Sequence, residues 1–290
     1  MTRAALLLLA LVAVAGCRSN FDPASFVGGL RLLDVKAEPP DIGPGQTSLL
    51  SALVVNPGGG APTVTWDACL LTPPPASGQA VNIDCAALDA GADLIAFGVG
   101  PSVTATMPAL DPSKRGLPDA TNGFYLPVRA RLDADGKTLV ALYQLRIFLG
   151  ALSPNPPNQN PTLMGIYQVP SADAGAADQT ALDDAKPIEV HANDKVALRA
   201  LVTAASSESY LVFDGDPRTT PPRHVVEKIR VSWFTTAGTF DNDVTGVDKP
   251  DTTLTLDKHL PPSGTTIDLW VVARDERGGS DWLHRTLVFR

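Results

Sequence analysis

Apolar side chains recur at every second position in several short runs of this chain. In "TTIDLWVVAR", Ile267, Leu269, Val271 and Ala273 alternate with Asp268, Trp270, Val272 and Arg274. "GFYLPVRAR" does the same through Leu126, Val128 and Ala130. Successive side chains of a strand point to opposite faces, so this period predicts strands with one face on a core. No run carries the period of a long amphipathic helix. Gly (24) and Pro (26) are frequent and aromatics are scarce at 6%, which suits short strands joined by many turns. With 290 residues, 44% of them hydrophobic, the chain can bury a real core as one large domain or two ordinary ones.

The pattern occurs twice. "LSALV" (Leu50 to Val54) precedes "TVTW" ending at Trp66, and "LRALV" (Leu198 to Val202) precedes "RVSW" ending at Trp233. Further on come "LPVRARLDADGK" and "LWVVARDERGG", each followed by a last run, "LYQLRIF" ending at Phe148 and "LHRTLVF" ending at Phe289. Matches in the same order predict a duplicated domain. "DADG" (Asp133–Gly136) and "DERGG" (Asp275–Gly279) supply residues that tolerate positive φ, so the last two strands of each copy are expected to form a hairpin. Between the copies lies "GALSPNPPNQNPTL", whose Pro and Asn favour extended, poorly packed backbone with few contacts between domains. The expected organisation is a first domain over 30–150, a linker over 151–161 and a second domain over 162–290. Two insertions break the repeat. The Ala/Asp-rich 170–187 has room for a helical turn, and 206–227 lengthens the second copy before Trp233.

The repeat resembles the immunoglobulin-like β-sandwich, in which a third-strand tryptophan packs against the second and sixth strands. Ala52 precedes Trp66 at about the family's usual gap, and Ala130 and Ala273 stand where the sixth-strand cysteine would be. Neither copy has the paired cysteines or the tyrosine before the sixth-strand site. The resemblance is therefore to Ig-like domains of the bacterial surface kind. It implies an all-β fold of two tandem antiparallel sandwiches, with jelly-roll and other sandwich topologies as alternatives.

The N-terminus begins "MTRAALLLLALVAVAGC": one basic residue, an apolar stretch and small residues before Cys17. The stretch is shorter than the ~20 residues of a membrane-spanning helix and has the build of a secretory signal. "VAGC" (Val14 to Cys17) resembles the lipoprotein signal of bacteria. That resemblance implies removal of residues 1–16 and lipidation of Cys17 by diacylglycerol, with acyl chains such as palmitate. Several chains hold firmly because burial adds ~0.8 kcal/mol per CH₂. The alternative is an ordinary secretory signal with a chance cysteine. Arg18 in place of Asp leans toward the outer membrane under the enterobacterial sorting rule. Residues 17–29 read as a lipidated tether, about 20 Å long as coil, that lifts the first domain off the lipid.

Export places Cys69 and Cys85 in an oxidising compartment, where a disulfide is expected. The formal charge of −8, one unit more negative after loss of Arg3, excludes no class outright but disfavours nucleic acid and anionic headgroups as partners. GxSxG, HExxH and a phosphate-binding Gly-rich loop before a helix are all missing, and His191, His224, His259 and His284 lack metal-ligand spacing. The expected function is thus non-enzymatic: an envelope lipoprotein with a structural or protein-binding role and no obligatory cofactor, held to the membrane by its lipid. A carbohydrate-binding or calcium-dependent adhesion module is the alternative, and an enzyme ranks last. Two features carry the alternative. Asp241, Asn242, Asp243 and Asp248 offer hard oxygens for calcium within one loop, with Asp214 and Asp216 able to join, although Asp and Asn are also ordinary turn formers. Trp270 lies on the polar face of its strand, where with Trp282 and Tyr210 it could stack on a glycan or pack against the other domain.

Overall fold

The computed structural model describes residues 21–71, 82–88, 91, 93–109, 119–121, 123–150, 154–171, 178–214 and 220–290. The first copy contains β1 (Arg31–Glu38), β2 (Asp41–Ile42), β3 (Thr47–Val55), β4 (Thr63–Cys69), β5 (Leu94–Val99), β6 (Ser102–Thr106), β7 (Phe124–Ala134) and β8 (Lys137–Ile147). They form two sheets, β1-β3-β6 and β2-β8-β7-β4-β5. All pairings are antiparallel except that of β2 with β8. Apolar residues at alternate positions of both sheets close on one core that includes Val35, Leu50, Trp66, Ala130 and Leu145.

The second copy contains β9 (Leu163–Gln168), β10 (Thr180–Ala181), β11 (Glu189–Val190), β12 (Lys195–Val202), β13 (Ser209–Val212), β14 (Arg223–Val226), β15 (Arg230–Thr235), β16 (Thr239–Phe240), β17 (Val244–Gly246), β18 (Asp251–Thr255), β19 (Thr266–Arg274) and β20 (Ser280–Phe289). Its main sheets are β10-β9-β12-β18-β16 and β11-β20-β19-β15-β17. The strand order matches the first copy: a short strand runs parallel to the last strand, then come the terminal hairpin, the tryptophan strand and an edge strand. This is the Ig-like arrangement, all-β and twofold in tandem. Within the 206–227 insertion, β13 and β14 pair antiparallel as a separate two-stranded sheet, and residues 215–219 between them lie outside the described residues. In the other insertion β10 pairs with β9, and residues 172–177, with any helical turn, lie outside the described residues.

Trp66 and Trp233 are fully buried and each indole N–H has a partner: the Gly100 carbonyl and Thr245 Oγ1, both at 2.9 Å. The register differs between copies. Ala130 stands opposite Trp66, but Val271 stands opposite Trp233 and Ala273 opposite Val231. The tryptophan strand of the second copy is thus displaced by two residues against its hairpin. A shift of two keeps every side chain on its own face, so the core survives it. The β7–β8 hairpin closes through Asp135 and Gly136, with φ of 50° and 73°. A two-residue turn of that hand suits the strand twist.

Candidate functional site

The two sandwiches do not stand apart. The residues that join them form the most heavily built polar and apolar site among the described residues. Its apolar half begins with a β-bulge in β1, where the register shifts between Leu32 and Asp34. A bulge turns an extra residue to one face. Leu33 and Asp34 both leave the first core, which keeps Leu32 and Val35. Leu33 joins Val55, Leu53 and Val27 against Phe234, Trp270, Val272 and Trp282, which project from the outer face of β15, β19 and β20. Asp34 accepts from Arg274 Nε at 2.9 Å, and Lys36 pairs with Asp281 at 3.0 Å. Burial pushes the Asp34 carboxyl above its usual range despite Arg274.

Part of the segment read as a lipidated tether, residues 22–27, enters the same seam, while residues 17–20 lie outside the described residues. Phe26 bridges to Thr235 in parallel, with Val27 N–H donating to the Thr235 carbonyl and Thr235 N–H to the Ser25 carbonyl. The Phe26 ring stacks on His259, whose Nε2 lies 2.8 Å from Asp22 Oδ1. Apolar burial and main-chain pairing hold residues 22–27 to the second domain.

The expectation of a poorly packed linker is corrected. Asparagine carries a donor and an acceptor on one side chain and can stand in for a peptide group. Asn155 donates to the carbonyls of Thr121 in the first domain and Leu211 in the second, and accepts from Leu211 N–H. Asn158 N–H donates to Asp41, and its Nδ2 donates to Asp275 at 3.0 Å. Asn160 Nδ2 donates to the Ala37 carbonyl while its Oδ1 accepts from Ser280 N–H.

Around these amides lie buried ions. Arg146 reaches Asp41 at 2.6 Å, with both side chains buried. Arg277, in the β19–β20 turn, donates to Glu227 at 3.0 Å, to Glu208 at 2.6 Å and to the Pro156 carbonyl, and lies over the Tyr210 ring. Tyr210 OH donates to Glu276. Carboxylates outnumber guanidinium groups here. Burial, then the charge of Asp275, raises Glu227 to about 7. Burial likewise raises Asp275, with donors from Asn158, Gly279 and Arg277 only partly offsetting it. Sequence reasoning singled out Tyr210 but missed the buried ions around it, because no motif marks a charge that becomes buried only when two domains meet.

The sequence-predicted sites fall as follows. Cys17 lies outside the described residues. Cys69, at the end of β4, is bonded to Cys85 in a short 3₁₀ turn, so the expected disulfide is present. Trp270 is only 7% exposed and packs in the seam, with His284 stacked on its ring. Of its two readings, stacking on a glycan or packing against the other domain, the structure has the second. Of the two readings of Asp241, Asn242, Asp243 and Asp248, turn formers or calcium ligands, the hydrogen bonds of Asp241 and Asn242 follow the first. Among the described residues no group of three or more His, Cys, Asp or Glu side chains could hold a metal. Asp241 Oδ1 instead accepts from Thr252 Oγ1 and Thr253 N–H, at 2.9 and 2.8 Å. Burial raises the Asp241 carboxyl, but these donors outweigh it and hold it below its usual range. Asn242 Oδ1 accepts from Val244 N–H, as turn formers do. Asp248 lines a cleft taken up below. Asp214 pairs with Arg223, and Asp216 lies outside the described residues.

No family model matches the chain, and no curated protein matches it. Among solved structures it is similar to the D0-D1 domain of intimin, at 15% identity and a TM-score of 0.22, over 89% of this chain and 98% of that one. The adhesin InvE of Yersinia pseudotuberculosis matches at 11% identity and a TM-score of 0.21, over 90% of this chain and 60% of that one. Elastase-activated alpha-2-macroglobulin of Escherichia coli matches at 13% identity and a TM-score of 0.23, over 93% of this chain and 23% of that one. At such TM-scores the likeness extends to neither a site nor a ligand.

Proposed function

We propose that this chain is a non-enzymatic lipoprotein of the bacterial cell envelope, held by lipid on Cys17, whose two Ig-like domains act as one rigid structural and protein-binding unit. The observation that carries the reading is the seam. One outer sheet face of the second domain takes both the first domain and the N-terminal segment. A pull on Cys17 would therefore load the second domain first and reach the first domain through a packed interface rather than a loose chain. Under the enterobacterial sorting rule, Arg18 in place of Asp leans toward the outer membrane.

The test is affinity purification of the tagged full chain from bacterial membranes, beside its Cys17→Ser variant. Wild type should partition into detergent and bring down an envelope protein. The variant should stay unprocessed and leave the detergent phase. A variant that partitions like wild type would remove the lipid anchor from the reading, and a wild type recovered alone would remove the partner.

A further inference from the structure

Between the inserted β13–β14 sheet and β17 lies a cleft of about 530 Å³. Lys228, Arg230 and Lys249 line it, together with Val226, Ile229 and Val247. In a chain of formal charge −8, three cations on one cleft are a local reversal of sign. Of the acids there, Glu227 is turned to Arg277, which leaves Asp248 as the one exposed carboxylate of the lining.

Arg230 stands out. Among the described residues it is the arginine whose guanidinium makes no hydrogen bond or ion pair, whereas Arg31, Arg129, Arg131, Arg146, Arg199 and every other one is engaged. Its cross-strand neighbours explain why. On one side it faces Gly246, which offers no side chain. On the other it faces Arg274, a like charge already committed to Asp34. Like charges directly opposite on a sheet are unfavourable, and an anion placed against Arg230 relieves this pair. A guanidinium presents a planar fork that matches a carboxylate.

The walls add a second preference. Among the described residues β14 pairs only with β13, which leaves its other edge free, whereas the outer edge of β17 is largely spent: Gly246 bridges to Lys249 through both main-chain groups, and Val244 N–H donates to Asn242 Oδ1. Val226, on β14, and Val247, in the turn that follows β17, are 62% and 44% exposed. Lysines on an edge strand can serve only to discourage pairing. Arg230, however, stands on the inner strand β15, where it guards no edge. The free edge of β14, the exposed valines and the unpaired cations together suit an extended segment that adds main-chain hydrogen bonds to β14 and alternates acidic with β-branched side chains.

We propose that this cleft is a docking site for an acidic, extended polypeptide segment of a partner. The proposal rests on the protein-binding part of the function above and is independent of the lipid anchor.

The test uses the purified full chain in detergent and a synthetic Glu-Val-Glu-Val-Glu peptide, with Lys-Val-Lys-Val-Lys and inorganic phosphate as parallel probes, read by calorimetry and amide NMR shifts. The acidic peptide should bind with shifts centred on β14 and on Arg230 and Lys249, and the basic one should not bind. Arg230→Glu with Lys249→Glu should weaken the acidic peptide by about tenfold or more, and Arg230→Gln alone by less. Both positions are exposed, and an unchanged Tm confirms that each variant folds. Equal binding of both peptides, equal binding to the variants, or binding of phosphate without the acidic peptide would each overturn the proposal. None of these outcomes bears on partition of the full chain into detergent, so failure here leaves the anchor reading standing.

Discussion

Trp270→Ala is the sharpest probe of the two-domain unit. The side chain is 7% exposed and sits in the cluster that joins Leu33, Leu53 and Val55 of the first domain to Phe234, Val272 and Trp282 of the second. A tryptophan buries roughly 150–250 Å², and truncating one in a packed site costs about 3–5 kcal/mol. Some of that contact stays within the second domain, through His284 stacked at 5.3 Å and the flanking strands. We assign about half, ~2 kcal/mol, to coupling between the domains. A coupling of that size is a sizeable fraction of the 5–15 kcal/mol that stabilises a typical domain. Wild type should therefore melt in a single calorimetric transition, with coincident urea curves by tryptophan fluorescence and near-ultraviolet circular dichroism. In Trp270→Ala the transitions should separate, and limited proteolysis should begin to cut within 154–161. The buried asparagines of that segment should resist cleavage in wild type. Wild-type protein cut first in 154–161 into two resistant fragments, or a variant that still melts as one unit, would show that the seam does not couple the domains.

Three further outcomes follow from the same geometry. Replacing Cys69 and Cys85 by Ser removes a cross-link spanning a sequence separation of 16 and should cost about 3 kcal/mol, seen as a lower urea midpoint; non-reduced mass spectrometry of wild type should find the two peptides joined. Glu227 holds its proton to about pH 7 when folded, against 4.5 as its ordinary value, so stability should fall as pH rises from 4.5 to 7 by up to about 3 kcal/mol, and urea midpoints that stay flat over that range, or a slope that Glu227→Gln leaves unchanged, would contradict this. Gly238→Ala should destabilise by at least about 1 kcal/mol, because φ is +79° and a Cβ would lie 2.5 Å from the Thr255 carbonyl oxygen; a thermal midpoint equal to wild type would refute the clash.

What could be read from the sequence follows from how far each signal reaches along the chain. A period of two is local, so the strands around Leu126–Ala130 and Ile267–Ala273 were legible, and so were the Asp135–Gly136 turn and the burial of Trp66 and Trp233. The register of β15 on β19 was not legible, because a slip of two residues preserves every face and leaves the pattern unchanged. The Asn-rich linker misled for a different reason. Its composition reports what the backbone prefers when alone, and Asn155, Asn158 and Asn160 find partners only in what the two domains bring to them.

Trp270 shows where a stronger inference was available. On β19 the inward positions are Ile267, Leu269, Val271 and Ala273, and the outward ones are Asp268, Trp270, Val272 and Arg274. Two apolar side chains at consecutive outward positions mean a strand covered on both faces, as in strands buried between two layers. A free glycan platform needs the ring open to solvent, yet Val272 beside it is itself fully buried. The aspartate-rich loop follows the same logic: Asp241 Oδ1 accepts from Thr252 and Thr253, and Asn242 Oδ1 from Val244, so these oxygens hold the turn that places β17. What remains open to a partner is then not the pair of features that chemistry-by-residue-type picks out. It is the cleft beside β17, where Arg230 lacks the carboxylate that its neighbour Arg274 has in Asp34.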